Sequence, residues 1–433
     1  MKPEPASIEE ELHWQPWQAA EREDFFAAIT RHQRLAWRVR AACLLAYSVL
    51  AVVMSLLLAP LFYCLLGLLL DIVNLILPMP DLLAKAAVGL DMLLNRPADL
   101  SFQQFATYGC LALLPGMLIL SFLGRRIIKA IQQSSLFKPE LSPHRALNLT
   151  NFKELQFQHV VEEMAIAALI PVPKIWVIEG GLNAAVAGLN SEQAQLLVGE
   201  GVFKDLNRQQ LQGLAAHLLV AIAEHDLKIG LQTSSVMGIF ALISNIALNI
   251  LDKKTWPQSK RLLFALFSNS QKSQQLILAS LQDTLQNETH SNQPASDTDS
   301  GKLTWREWVL MPLMGPVFMS ALLGQFVNSL FLIPLVGMVW RQRKYMADAG
   351  AVKLTREPNG LATTLVQTLG KSCALPVFSS LWANHWCIVK PEPLPSMIIG
   401  MFPKPEQRIK ALIRLGADPL ALPNEPTFLT LLK

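Results

Sequence analysis

Two long apolar runs, each bounded by arginine or lysine on one side, constrain this chain more than anything else in it. The first extends from Ala41 to Leu70 and the second from Phe105 to Leu123. A helix needs about 20 apolar residues to cross the hydrocarbon core of a bilayer. Only helices and closed barrels satisfy their backbone groups there. The second run has about that length. The first exceeds it, which fits one tilted helix with an interfacial extension, and Pro60 is where it would kink. Arg31, Arg34, Arg38 and Arg40 precede the first run, and Arg125, Arg126 and Lys129 follow the second. Basic residues stay on the cytoplasmic side of a span. The pattern therefore predicts two spans, with the N-terminus and everything after residue 125 in the cytoplasm. Residues 81–104, beyond Pro78 and Pro80, would form an amphipathic connection on the far side.

Composition points the same way. Charged residues make up 16% and hydrophobic residues 52% of the 433, whereas ordinary soluble domains carry about 25% charge. A net charge of +4, without a basic stripe interleaved with aromatics, speaks against nucleic acid. The five cysteines, at 43, 64, 110, 373 and 387, form no Cys-x-x-Cys pair. Neither a thiolate zinc site nor a redox motif is indicated, and reduced, buried thiols are expected. Residues 1–24 are acidic and contain tryptophan, unlike a signal peptide.

Beyond residue 125 the chain becomes soluble in character. Asn151–Ile170 reads as an amphipathic helix stopped by Pro171 and Pro173, Lys174–Ile178 and Gln195–Val198 as strands, and Asn207–His225 as a helix. Two further apolar regions follow, Ile229–Leu251, diluted by polar residues, and Val309–Val339, broken by proline and glycine. Flanking charges do not decide whether either crosses. Between them lie a helical stretch, Lys260–Leu285, and a flexible loop at 286–301. From Arg341 the chain is helical, then loop-rich from Ala374 to Pro403, with a last helix at Pro405–Leu415. The chain so divides into a cytoplasmic segment (1–40), a membrane region (41–124), two parts of one domain (125–228 and 341–433) and an apolar insertion (229–340).

Several segments, taken in order, resemble the HtpX-like membrane zinc metallopeptidases, relatives of the CAAX prenyl proteases. Val160–Lys174 resembles the helix and strand entry of the family's protease domain. Asn183-Ala-Ala-Val-Ala-Gly188 is similar to its Asn-Ala-Phe-Ala-x-Gly segment, with Ala185 in place of the aromatic. Leu206–His217 resembles the start of the zinc helix, and His217 and Asp226 keep the register of His-Glu-x-x-His followed by Asp. Leu218 stands at the general-base position and Ala221 at the second zinc histidine. Arg343-Lys-Tyr-Met-Ala-Asp348 resembles Arg-Glu-aromatic-x-Ala-Asp, with Lys344 where the third ligand, a glutamate, belongs. Phe402-Pro-Lys-Pro-Glu-Gln-Arg408-Ile is similar to His-Pro-Pro-x-x-x-Arg-Ile, with Phe402 replacing histidine.

The resemblance implies a mainly α-helical integral membrane protein. It would have two N-terminal transmembrane helices, a zincin-like α+β cytoplasmic domain with a small sheet, and one or two apolar helical regions inserted in that domain. It also implies a multi-pass protein of the bacterial inner membrane, in a family tied to protein quality control. The chemistry is another matter. A hydrolytic zinc site needs three protein ligands and an open position, with a base to take the proton from the bound water. Here only His217 remains of the implied ligands, so no cofactor is expected unless the ligands have been rearranged. Glu224 lies about 10 Å along the helix axis from His217, too far for joint ligation. For Glu224, His225 and Asp226 a solvated helix end or a structural hydrogen bond is expected. Lys344, flanked by Arg341 and Arg343, reads as part of a juxtamembrane basic cluster facing headgroups or solvent. Asn183, Gly188, His217, Asp226, Arg343, Asp348 and Arg408 remain as structural landmarks. The expected function is a pseudopeptidase that binds a polypeptide or membrane partner. A rearranged zinc endopeptidase and a membrane scaffold or assembly factor are the alternatives.

Overall fold

The computed structural model describes residues 23–75, 95–133, 144–250, 256–290, 326–375, 384–391 and 402–418, with 88–89, 91–93, 319 and 322–324. Residues 81–87, 90 and 94 of the connection expected at 81–104, residues 291–301 of the expected loop and residues 309–318 of the second apolar region lie outside these described residues. Helix α1, Phe25–Asn74, takes in both the basic stretch and the first apolar run, and it continues through Pro60. Helix α2, Phe102–Gln132, opens on a capping box in which Ser101 and Gln104 satisfy each other's backbone N–H groups. Among the described residues, these two helices alone are long and apolar enough to cross a membrane. They leave Leu44, Leu45, Val49, Leu68 and Leu69 of α1 and Leu114, Met117 and Leu118 of α2 exposed. A contiguous apolar surface of this kind on a soluble monomer would be unusual.

Arg126 packs inside the fold. It is buried, and its guanidinium donates to the carbonyls of Ala265 and Ser268 and to Asn269. These groups close helix α7 (Trp256–Phe267), so Arg126 satisfies carbonyls at a helix C-terminus rather than facing headgroups. Arg125, by contrast, is exposed.

A four-stranded mixed sheet organises the rest. Its strands are β1 (Arg145–Ala146), β2 (Lys174–Ile178), β3 (Ala184–Ala187) and β4 (Gln195–Gly199), ordered β1-β2-β4-β3. β2 and β4 are parallel, and β1 and β3 pair antiparallel on the outside. Both faces are covered. Ala184, Val186, Leu196 and Val198 point into a core built from α3 (Phe152–Ala168), α5 (Arg208–Ala223), α10 (Pro358–Gly370) and α11 (Pro405–Arg414). The alternate residues Ile178, Ala185, Ala187 and Leu197 face a second core with α1, α2, α6 (Asp226–Ile250), α7 and α8 (Gln271–His290). The period of two along each strand places neighbouring residues in different cores, and the second core joins the sheet to the apolar helices. Short α4 (Glu200–Asp205) links β4 to α5.

Local signals explain most boundaries. α3 ends in left-handed Leu169 (φ 56°) just before Pro171. Asn207 and Gln210 form a capping box at the start of α5, each bond 2.9 Å. The single helical stretch expected at 260–285 is instead the pair α7 and α8, divided at 268–270, where Ser270 Oγ accepts from Ser273 N at 3.2 Å. α8 runs on to His290, so residues 286–290 of the expected loop are helical. Their polarity suggested a loop, yet polarity does not stop a helix; the next breaker is Pro294. Helix α9, Ile333–Thr355, crosses the expected boundary at 340 without a break and packs along α1 and across α5.

Candidate functional site

α5, which packs on β3, also packs against α9, and the two helices bring the candidate residues together. His217, at the middle of α5, has no exposed surface; Leu218 and Ala221 are buried beside it. α9 presents Lys344, Ala347 and Asp348, which share one face at spacings of three and four. Arg408, from α11, closes the cluster. Its Nε and Nη2 bond both carboxylate oxygens of Asp348 at 2.8 and 2.6 Å, and its Nη1 donates to the Ile388 carbonyl at 2.6 Å. On the other side Arg343 pairs with Asp226, the first residue of α6, and donates to the Glu224 carbonyl.

Charge can be tallied within this buried group. Asp226 and Asp348 are each matched by an arginine. Lys344 makes no ion pair among the described residues, so the cluster carries one surplus cation. Burial, then the nearby Arg408, brings the Lys344 ammonium down to about 8. Burial would raise the Asp348 carboxyl, but Arg408 and His217 hold it well below the usual range. Burial lowers the His217 imidazole to about 4, with Arg408 and Lys344 pushing the same way against Asp348. At neutral pH the imidazole is uncharged. Its Nδ1 lies 2.8 Å from Asp348 Oδ1, although not aligned as a hydrogen bond, and its Nε2 is buried without a partner among the described residues.

This placement corrects the expectation for Lys344 and Arg343. Both are buried, and only Arg341 of the trio is part-exposed. Flanking charge suggested a solvated cluster, but successive helical residues point about 100° apart, so positions 343 and 344 turn inward while 341 does not. Asp226 takes the second of its two expected roles, a structural hydrogen bond, as the buried partner of Arg343. Its carboxyl is raised by burial against the pull of Arg343 and Lys344. His225 is exposed in a left-handed conformation (φ 62°) between α5 and α6.

Asn183 and Gly188 bracket β3 and have separate tasks. Buried Asn183 donates from Nδ2 to the carbonyls of Cys373 (3.0 Å) and Val389 (3.1 Å), and its Oδ1 accepts from Ala184 N and Val389 N. Gly188 has φ 146°, and a Cβ there would come 2.7 Å from the Gln193 carbonyl. Only glycine suits that turn into β4.

What Asn183 clamps is the feature that sequence reading missed. β3 is an edge strand, and an edge strand presents unpaired backbone groups to any extended peptide. Here the chain covers that edge with its own segment 384–391. Ala185 bridges Cys387, and Ile388 N donates to the Ala184 carbonyl at 2.8 Å. His385 is buried and stacks on Trp340 of α9 at 4.3 Å, and its ring also meets Trp386. A Cβ at Gly230 of α6 would approach His385 Nε2 to 2.8 Å, so this segment is wedged against α6. Burial, then the Lys344 charge, drops the His385 imidazole to about 3, and burial raises the Cys387 thiol far above its ordinary range. A His-Trp-Cys triplet inside a loop-rich stretch was the available signal.

These residues fit zinc poorly. Ala221 has no donor atom, and Lys344 brings positive charge to the same cluster. Among the described residues of this site, the ring nitrogens of His217 and Nε2 of His385 are buried without a hydrogen-bond partner, and they come from only two side chains where three are needed. Among the described residues no three His, Cys, Asp or Glu side chains stand close enough to hold a metal ion.

The surplus charge has a measurable consequence. Lys344→Met keeps the volume and leaves both ion pairs intact. The unfolding free energy is expected to rise by about 1–4 kcal/mol, as when buried ionic groups give way to apolar ones of equal size. Between pH 8 and 10.5 the unfolded lysine holds a proton that the folded one has released. The cost of Lys344 is therefore full below pH 8 and fades toward 10.5. Thermal melts at pH 7 and pH 10 test this; equal stability of the two proteins at pH 7 would count against the surplus-charge account.

A sheet backed on one face by a helix carrying His217, against which a second helix carrying Asp348 packs, is the frame of a peptidase-like domain. The sequence model of peptidase family M48 matches residues 151–415, and the chain belongs to that family. Curated relatives include proteins named Protease HtpX homolog from Ligilactobacillus salivarius (24% identical over 226 residues), Streptococcus uberis (27% over 228) and Bacteroides fragilis (25% over 240). These matches cover 51–55% of this chain and 59–61% of the relatives, so the chain spans about 60% of their length. No solved structure matches.

Proposed function

We propose that this chain is a membrane-embedded family member that has given up zinc-dependent peptide hydrolysis and acts by binding a polypeptide or membrane-protein partner. Lys344 carries the reading. Its ammonium lies in the buried cluster with His217, at the position where the resemblance implies an anionic ligand. A cation there opposes a divalent metal, Ala221 supplies no second imidazole, and Leu218 cannot accept a proton from water. Relocated ligands draw little support, since His225 is exposed while His217 is fully buried. The occupied edge of β3 favours binding on surfaces outside the former cleft, as a membrane scaffold or assembly factor would bind. The two apolar helices support a multi-pass protein of the cell membrane, a bacterial inner membrane by family resemblance. Arg38, Arg40 and Arg125 support a cytoplasmic domain.

The test uses the full-length protein purified in detergent. Elemental analysis is expected to give substoichiometric zinc, and unfolded membrane-protein substrates should survive incubation with or without chelator. One zinc per chain, or chelator-sensitive cleavage, overturns the proposal.

A further inference from the structure

Three helices leave a groove where α1 enters its apolar run. It is lined by Arg40, Cys43, Leu44 and Tyr47 of α1, by Ile229, Gln232, Thr233 and Val236 of α6, and by Val336 and Val339 of α9. Its cavity volume is about 80 Å³, and it opens to the outside. The directions of the helices give the groove a polarity. Phe25 meets Arg356, and His32 meets Gln342 and Tyr345, so α9 runs antiparallel to α1. Arg343 pairs with the first residue of α6, whereas Met237, further along α6, packs with Ile333 and Val336. α9 is thus antiparallel to α6 as well. The end toward the soluble domain holds Arg40 and Gln232, joined by a 3.2 Å hydrogen bond. The other end holds Tyr47, Val236 and Leu332. Thr233 spends its hydroxyl on the Ile229 carbonyl, at 2.8 Å. From Arg40 to Tyr47 the wall rises about 10 Å.

A slot with one cationic end and an apolar remainder, opening beside an exposed apolar helix, matches one class of ligand. We propose that the groove seats an acyl chain of an anionic phospholipid from the surrounding bilayer, with its phosphate against Arg40. The proposal rests on the membrane reading of α1. Arg40 makes no ion pair among the described residues, and a guanidinium binds phosphate through several parallel N–H donors. Its charge lies just before the apolar run, at the level of lipid headgroups.

Full-length protein reconstituted in vesicles tests this with photoactivatable phosphatidylglycerol and phosphatidylcholine carrying the same reactive acyl chain, labelled peptides being mapped by mass spectrometry. Phosphatidylglycerol is expected to label residues 40–47 and 229–236 roughly fivefold more than phosphatidylcholine, the order of preference one basic residue gives at an anionic surface. Thr233→Trp, which fills the groove, should reduce that labelling to the level around Leu68 and Leu69. Arg40→Gln should leave labelling in place and remove the preference between the lipids. Equal labelling of the wild type by both lipids, or a preference that survives Arg40→Gln, overturns the proposal. Protein that does not float with the vesicles overturns the membrane reading, and the groove assignment with it.

Discussion

Replacing Arg408 by methionine is expected to destabilise the folded protein by about 3–5 kcal/mol, the usual cost of removing one partner from a buried ion pair. Arg408 is 1% exposed and makes three bonds at once, two to Asp348 and one to the Ile388 carbonyl. Without it, Asp348 would keep its charge in a buried site beside a neutral imidazole. The Ile388 carbonyl would lose its donor too, loosening the segment that covers β3. Whole domains are stable by only about 5–15 kcal/mol, so much of the protein should be unfolded or degraded at growth temperature. Lys371→Met is the matched control. It removes a part-exposed ion pair with Asp205 at 2.9 Å, and exposed pairs contribute about 1 kcal/mol or less. Changing Asp348 to leucine together with Arg408→Met should recover part of the loss, because the orphaned charge goes with its partner. Denaturant melts of the three variants decide the matter; equal effects of Arg408→Met and Lys371→Met would show that the buried pair does not organise the site.

Much of this organisation was legible in the sequence, and the reasons divide by range of interaction. Helix α5, with Asn207 and Gln210 at its start, and strand β2, with its β-branched and aromatic residues, are set by neighbours a few positions away. The apolar runs behave the same way. The register through His217, Asp226, Arg343 and Asp348 came from the family resemblance, which aligns those positions with its motifs. Burial of single charges was not legible. Lys344 and Arg126 look like their basic neighbours in sequence, and only packing against α5 and α7 distinguishes them. The covering segment at 384–391 is a long-range pairing with β3, held by Asn183 across about two hundred residues. The His385-Trp386-Cys387 triplet marks the segment, but nothing local to it names β3 as its partner. Ala185 gave a partial hint, as a small residue in the strand position that Cys387 bridges.

Putting back the missing donors is expected to create a zinc site around His217. His217 and position 221 are one turn apart on α5, about 6 Å along the axis, with α9 packed across them. Ala221→His restores a pair of imidazoles on one face. Lys344→Glu adds a carboxylate from the opposite wall and changes the charge of the cluster from one surplus cation to one surplus anion. Neither change suffices alone: the first leaves a cation beside two imidazoles, and the second leaves only two donors where a stable site needs three. The combined variant should bind one zinc per chain, and each single variant much less. A folded state that alone binds the metal gains about 2.7 kcal/mol at a free concentration one hundred times the dissociation constant. Added zinc should therefore raise the melting temperature of the combined variant and leave the wild type unmoved. Peptide hydrolysis is a further demand. Leu218→Glu would supply the base, yet residues 384–388 would still lie on the edge of β3, so zinc binding without cleavage is the expected result even for the triple variant. A combined variant that folds and binds no zinc would show that α5 and α9 do not hold these positions at ligand distance. The proposed loss of zinc chemistry would then rest on the backbone as well as on three side chains.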